Sequence, residues 1–283
     1  MDQLTLLIYI QMTLYATTAF IALLYACSIL CIRRFRETNN IFIANICLSI
    51  TMSCVYFVSY FPTMMTIHYT PDLCVFYTYL FNLASIAIPY SFVAFTVHRF
   101  CIVMYHRQGL FKKKRWTITC IGSFWIIELI LSLPFITEYD EYCTMKIWMG
   151  FYTFTIAIIL PILINISLDT RIFLLIRRST CRIQAQNLNR TPSITNTSSI
   201  KLVRRDIFLL KHMVFTFLIF ILGWTPVFLL NLIDIIIPGH IYQIIYCTYL
   251  CILSTLGIIA YLFTFNYELR MYLYDRIQCC VER

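Results

Sequence analysis

Seven long apolar runs constrain the fold of this chain, near residues 5–32, 40–66, 75–105, 116–137, 147–176, 203–234 and 241–265. A helix needs about 20 mostly apolar residues to cross a bilayer core of roughly 30 Å, and each run is long enough to do so. Helix is the secondary structure that fits, because open strands would leave backbone polar groups unsatisfied in lipid. The runs predict an all-α membrane protein, a bundle of seven transmembrane helices in one domain over residues 1–283.

Composition agrees with this interpretation. Apolar residues make up 60% of the chain and charged residues only 12%, about half the charged fraction of a soluble domain. The connections between runs are mostly short, which leaves no room for a separate soluble domain. The stretch from Met1 to Thr5 is too short for the charged start of a signal peptide, so we expect this run to be retained as a helix.

The basic residues predict the orientation. All of the 22 Lys and Arg residues except Lys146 fall on one side of the predicted bundle, after runs one, three and seven and around the connection between runs five and six. Because cytoplasmic loops carry the excess of positive charge, the amino terminus is expected outside and the carboxyl terminus in the cytoplasm of a plasma-membrane protein. The net charge of +9 is thus explained without a nucleic-acid partner.

Several landmarks recur at characteristic places in the runs. Cys74 and Arg99 lie 25 residues apart in run three, about 37 Å along a helix, and so mark its outer and inner ends. Run four carries Trp125 and Pro134, run five carries Pro161, and run six carries Gly223-Trp224-Thr225-Pro226. In these landmarks the chain resembles the rhodopsin-like (class A) G-protein-coupled receptors, over the length from run one to the cysteines near residue 280.

The resemblance implies an activation switch and a G-protein-coupling surface. His98-Arg99-Phe100 stands where the family has Asp-Arg-Tyr, and Trp224 and Pro226 correspond to the family's kinked tryptophan motif. Asp206 is placed opposite Arg99, and Tyr261 is the one residue kept from the Asn-Pro-x-x-Tyr motif. The alternatives are an interfacial Arg99 that reaches the lipid headgroups, a solvated Asp206 and a His98 that only packs.

The resemblance also implies an outer disulfide and a ligand pocket. Cys74 and Cys143 are the two cysteines on the predicted outer, oxidising side, and in the family this pair is bonded. The candidate pocket in the outer half comprises Phe81, Asn82, Ser85, Phe228, Asn231, Asp234, Tyr246 and Cys247. Phe81 replaces the aspartate of amine receptors, and the absence of lysine after Lys211 excludes a retinal Schiff base.

The ligand class follows from the outer charges. Five acidic residues face a single base, Lys146, on the predicted outer surface: Asp72, Glu138, Asp140, Glu141 and Asp234. Such a field attracts a basic partner, so a peptide is favoured as the ligand and a heterotrimeric G protein as the inner partner. A divergent chemosensory receptor is the alternative. A transporter or channel is disfavoured by the lack of internal repeats, and no catalytic set, cofactor motif or metal spacing is present.

The cytoplasmic segments contain candidate modification sites. Leu269, Leu273 and Ile277 recur every four residues, which predicts an interfacial amphipathic helix over about 267–278 followed by lipidation at Cys279 and Cys280. The third inner loop is rich in candidate phosphorylation sites that arrestin would read: Thr191, Ser193, Thr195, Thr197, Ser198 and Ser199. The alternative is a plain flexible linker.

Other positions depart from the family pattern or place polar groups in lipid. Ile50 stands where the family has an aspartate, Gly257-Ile258 replaces Asn-Pro, and Asp169 replaces a tyrosine. An ionisable residue within the membrane is a functional candidate, so Glu128 is expected to be either a ligand or relay group or a neutral acid hydrogen-bonded to a neighbouring helix. Asn165 is expected to join two helices by hydrogen bonding.

Overall fold

The computed structural model describes residues 3–66, 71–105, 111, 113–137, 146–188, 195–237, 239, 241–267 and 269–272. Seven of its helices are long and apolar enough to span a membrane, which confirms the predicted number. They are α1 (Gln3–Cys31), α2 (Thr38–Thr66), α3 (Pro71–Met104), α4 (Lys114–Ser132), α5 (ending in Leu160–Leu188), α6 (Thr195–Ile236) and α7 (Ile241–Phe265). The described ranges contain no strand.

The first part of α5 shows how proline shapes a span. The helix begins as Ile147–Phe154, passes through a π-helical turn at Thr155–Ile159 and continues as Leu160–Leu188. Pro161 has no N–H to donate to the preceding turn, and the π-helical turn accommodates the loss of that hydrogen bond. After α4 ends at Ser132, Pro134 likewise begins a separate short helix, Pro134–Thr137.

Two helices are longer than their apolar runs. α5 continues to Leu188 rather than ending near 176, and α6 starts at Thr195 rather than near 203. Hydropathy marks only the part of a helix that lies in lipid. Beyond it, residues 177–188 contain Gln, Ala, Arg and Leu but no Gly or Pro, so the helix has no reason to stop.

The helices surround α3, which is the most buried of the seven. α1 packs mainly against α2, and α6 mainly against α7. Large apolar side chains cover the outside of the bundle, among them Phe20, Leu222 and Leu253. An apolar outer surface of this kind, the reverse of that of a soluble protein, suits contact with the lipid of a bilayer.

A short helical stretch follows α7, as the sequence predicts for the interfacial helix. Asn266 caps it, because its Oδ1 accepts the backbone N–H of Leu269 at 3.3 Å. Leu269 is fully buried, and the ring of Tyr272 packs edge-on against Phe35 at 5.5 Å between centroids. Cys279 and Cys280 lie outside the described residues.

Candidate functional site

A polar clamp joins the centres of α2, α3 and α4. The Asn45 amide donates to Ser91 Oγ at 2.9 Å, and the hydroxyls of Ser49 and Ser91 lie 2.7 Å apart. The indole N–H of Trp125 donates to Asn45 Oδ1 at 3.0 Å. Hydrogen bonds between membrane helices fix their relative rotation, so the clamp sets which face of α3 points into the bundle.

A second polar bridge joins α3, α4 and α5 nearer the side that the sequence predicts to face outward. The Asn82 amide donates to Ser132 Oγ at 3.0 Å, and its Oδ1 accepts the Thr153 hydroxyl at 3.1 Å. Asn82 is fully buried. Both the nitrogen and the oxygen of its amide are therefore hydrogen-bonded to other helices, so the side chain joins helices and does not offer these atoms to a ligand.

Two buried polar side chains of the membrane-spanning helices have atoms without a hydrogen-bond partner among the described residues. Glu128 is buried, and its Oε2 accepts no hydrogen bond from any described residue. Neither amide atom of Asn165 has a hydrogen-bond partner in the same part of the chain. The interhelical bond expected of Asn165 is thus not formed there.

An aromatic column fills the middle of the bundle around Trp224, which is 2% exposed. The Trp224 ring stacks on Phe220 at 5.6 Å and lies 6.1 Å from both Phe57 of α2 and Phe228 of α6. Further inward, Phe220 stacks on Phe217, and Phe217 meets Phe92 of α3 edge-on. The column links Phe228 of α6 to Phe92 of α3 through successive ring contacts.

α6 and α7 approach closely beside Pro226. Gly223 faces Ser254, and a Cβ at Gly223 would overlap the Ser254 side chain. The Ser254 hydroxyl donates to the Ile219 carbonyl at 2.8 Å, and the Cys251 thiol lies 3.4 Å from the Gly223 carbonyl oxygen as a donor. Pro226 leaves the Leu222 carbonyl without its usual backbone donor, and the two donors from α7 reach the nearby carbonyls of Ile219 and Gly223.

The three residues in the place of Asp-Arg-Tyr point in different directions. The buried ring of His98 packs on Phe42 at 4.7 Å, and its Nε2 lies 3.3 Å from the Thr117 hydroxyl. The Arg99 guanidinium lies over the Phe95 ring at 5.3 Å. Phe100 packs against Ile172 of α5 and Leu210 of α6, so the inner ends of α3, α5 and α6 are in apolar contact.

Tyr261 sits in an aromatic cluster between α6 and α7. Its ring lies 4.9 Å from Phe215, 5.1 Å from His212 and 4.7 Å from Phe265. Asp206 is part of the α6 backbone, but its side chain lies outside what the structure describes. The proposed Arg99–Asp206 pair therefore stays a prediction.

The candidate pocket residues differ in their burial and in where they lie. Phe228 is buried beside Trp224, whereas Phe81, Asn231, Asp234 and Cys247 are half-buried in the outer half. Ser85 is buried and donates to the Phe81 carbonyl of its own helix. Tyr246 is 59% exposed on the same face as Leu250 and Leu253, so the structure places it on the outside of α7 rather than with the others.

The outer rim is only partly described. Cys74 is disulfide-bonded, but Cys143 lies outside the described residues, so their pairing remains a prediction. Asp234 Oδ1 accepts the N–H of Gly239 at 3.1 Å and so closes the turn after α6. Among the residues with described positions, no group of three His, Cys, Asp or Glu side chains is arranged to hold a metal ion.

One polar residue of this half was not anticipated. Gln11 of α1 is fully buried and donates to the Ile245 carbonyl and the Thr248 hydroxyl of α7, both at 2.6 Å. The sequence marks Gln11 as the single side-chain amide in an otherwise apolar run. Such a group must find a hydrogen-bond partner within the bundle. The sequence could have identified the residue but not the helix that it contacts.

Comparison with known families agrees with this geometry. Residues 21–266 match the profile of the 7 transmembrane receptor (rhodopsin family). The search of curated proteins returned no match. The matched region includes all seven spans except the outer part of α1, and it contains the clamp, the aromatic column and the α6–α7 contact. The chain belongs to the rhodopsin family of seven-transmembrane receptors.

Proposed function

We propose that this receptor transduces an extracellular ligand, of the peptide class, to a heterotrimeric G protein at the plasma membrane. The amino terminus lies outside and the carboxyl terminus in the cytoplasm. A ligand acts by binding one conformation of the bundle more tightly than another, and it shifts the equilibrium by that difference in affinity.

The observation that carries the proposal is the aromatic column. A ligand contacting Phe228 or Asn231 meets the same helix that carries Trp224 and Pro226. Movement there is transmitted inward through Phe220 and Phe217 to the level where Leu210 packs with Phe100 and Ile172. Separating that inner contact opens the cytoplasmic face to a G protein.

Charge supports a basic peptide as the ligand. Asp234 stands half-buried at the outer end of α6, and the sequence predicts four further acidic residues on the same outer side, Asp72, Glu138, Asp140 and Glu141, against Lys146 alone. A rim of one sign accelerates the encounter with an oppositely charged partner. No charged side chain other than Arg99 and Glu128 is buried among the described residues, so the deeper part of the ligand is expected to be uncharged.

A peptide library assayed with a promiscuous G protein tests the proposal. Basic peptides should elicit second-messenger responses, and Asp234→Asn should raise the half-maximal concentration by up to about fivefold, because a rim ion pair contributes about 1 kcal/mol. Glu37→Gln, an exposed acid of the first inner loop, is the matched control and should leave the response unchanged.

The apolar lining around Trp224 favours a second candidate, a chemosensory receptor for small neutral molecules. Activation by such compounds, with no response to any basic peptide, would replace the peptide assignment with this one. Ion flux through purified, reconstituted protein without ligand would instead contradict the receptor mechanism.

A further inference from the structure

A groove of about 500 Å³ lies between α5 and α6. Its lining residues Phe173, Phe215 and Leu218 are each about half exposed. Because they belong to helices that are long and apolar enough to span a membrane, we expect the groove to open on lipid. Its volume is within the range of ligand sites, about 300–1,000 Å³. A molecule bound here would be a membrane component, separate from the extracellular ligand.

Two side chains of opposite charge line the groove, Asp169 on α5 and Lys211 on α6. Asp169 Oδ1 is buried and accepts no hydrogen bond from the described residues. No ion pair joins the two side chains. A buried oxygen without a donor costs free energy, so a ligand that offers a donor to Asp169 and an acceptor to Lys211 would remove that cost.

The register of α5 and α6 places these two side chains at nearly the same level. Ile172 of α5 and Leu210 of α6 belong to one packed cluster, so they mark a common level in the two helices. Asp169 is three residues from Ile172, and Lys211 is one residue from Leu210, both toward the predicted outer ends. At 1.5 Å per residue, the two positions differ by about 3 Å along the bundle. One small group can therefore contact both.

Apolar side chains flank this polar pair on both sides along the groove. Phe173 lies one turn beyond Asp169 toward the predicted cytoplasmic end of α5, and Leu210 precedes Lys211 on α6. In the other direction, α6 continues with three apolar lining residues at helical spacing, Val214, Phe215 and Leu218. A phosphate headgroup in this position would be enclosed by apolar walls, at a large desolvation cost. A single neutral hydroxyl avoids that cost.

We infer that the groove binds a membrane sterol: its ring hydroxyl donates to Asp169 and accepts from Lys211, and its fused rings lie along α6 toward Leu218. One hydroxyl can serve both side chains, because it is a donor and an acceptor. A rigid ring system also has little conformational freedom to lose on binding. A diacylglycerol carries a free hydroxyl as well, but its two ester carbonyls would lie against apolar side chains without donors.

Saturable binding of tritiated cholesterol to the purified full-length receptor in detergent tests this inference independently of signalling. Three unlabelled competitors are compared with cholesterol itself. Cholesterol methyl ether keeps the acceptor oxygen but has no donor, cholestene has neither, and dioleoylglycerol has a hydroxyl without rings. Cholesterol should compete at about tenfold lower concentration than its methyl ether, the difference expected for one hydrogen bond to a charged group. Cholestene and dioleoylglycerol should also compete more weakly than cholesterol.

Variants assign the contacts. Asp169→Ala should abolish the difference between cholesterol and its methyl ether. Lys211→Met should weaken the binding of both by similar factors, because both keep the acceptor oxygen. Val214→Trp should fill the groove and remove the saturable binding.

Three control variants exchange an exposed acid, an exposed base and an exposed apolar residue outside the groove: Glu37→Ala, Lys114→Met and Leu253→Trp. All three should bind cholesterol like the wild type.

Several results would overturn the inference. Equal competition by cholesterol and its methyl ether on the wild type would remove the hydrogen bond to Asp169, even if Asp169→Ala did not fold. Competition by dioleoylglycerol as strong as that by cholesterol would assign the groove to an acylglycerol. Unchanged binding by Val214→Trp would place the sterol elsewhere.

Discussion

At the scale of single residues, the contact between α6 and α7 depends on the missing side chain of Gly223. A Cβ there would lie 2.6 Å from Ser254 Oγ and 3.0 Å from the Leu250 carbonyl oxygen. Neither neighbour is the far end of a flexible side chain, so the helices would have to separate. The same separation would lengthen the hydrogen bond from Ser254 to Ile219.

Gly223→Ala should therefore destabilise the receptor by about 1–3 kcal/mol, the cost of overpacking a core. The thermal midpoint of the purified protein is the measurement. Gly122→Ala is the matched control, since a Cβ at Gly122 meets nothing within 4 Å. The double variant Gly223→Ala/Ser254→Gly should recover most of the loss, and an unchanged midpoint in the single variant would mean that the α6–α7 contact is loose.

His98 is the second residue with a testable role. In the family, an acid at this position pairs with the neighbouring arginine, whereas here a buried imidazole packs on Phe42 and lies beside Thr117. His98→Asp would restore a carboxylate next to Arg99 and should lower basal signalling, measured as ligand-independent second messenger. The Thr117→Val control removes only the imidazole contact. Unchanged basal signalling in His98→Asp would leave His98 a packing residue.

At the scale of elements, run length predicts the helices but not their rotation. Each run had to be a spanning helix because lipid offers its backbone no partner. The runs are apolar on all sides, however, so no amphipathic face indicates which residues point inward. Asn82 was therefore placed in the pocket, although it bridges Ser132 and Thr153, and Tyr246 was placed there although it lies on the exposed face of α7.

The packing of α2, α3 and α7 also bears on sodium. In many members of the family, a sodium ion is held by the helix-two aspartate and by polar groups of helices three and seven. Here Ile50 and Ile88 are fully buried, and Gly257 offers no side chain, so a hard cation has no oxygen cage at these positions. Agonist affinity should not change when sodium is exchanged for a large organic cation at constant ionic strength. A sodium-specific fall in affinity would contradict this prediction.

At the scale of the whole molecule, the sites predicted for coupling and for switching off are concentrated at the predicted cytoplasmic ends of α5 and α6. These helices extend beyond the membrane to Leu188 and from Thr195. Four of the six candidate phosphorylation sites, Thr195, Thr197, Ser198 and Ser199, thus fall in the first turns of α6 rather than in an unstructured loop. Thr191 and Ser193 lie outside the described residues.

Phosphorylation of this region is the expected route to desensitisation. Residues 265–283 contain no Ser or Thr, whereas residues 191–199 contain six. Each phosphate adds about −1.5 to −2 charges near Arg177, Arg178, Lys201, Arg204 and Arg205, and it is favoured at the start of a helix, where the backbone N–H groups are free. An anionic segment would replace a basic one, which is the change expected to recruit arrestin.

Alanine in place of all six Ser and Thr residues should slow agonist-driven internalisation and leave G-protein activation intact. Both are measured in the same cells, by surface labelling and by second messenger. The control exchanges Asn187, Asn189 and Asn196 for Ala, which changes the same segment without removing a phosphate acceptor. Normal internalisation of the six-residue variant would contradict a role of these Ser and Thr residues in desensitisation.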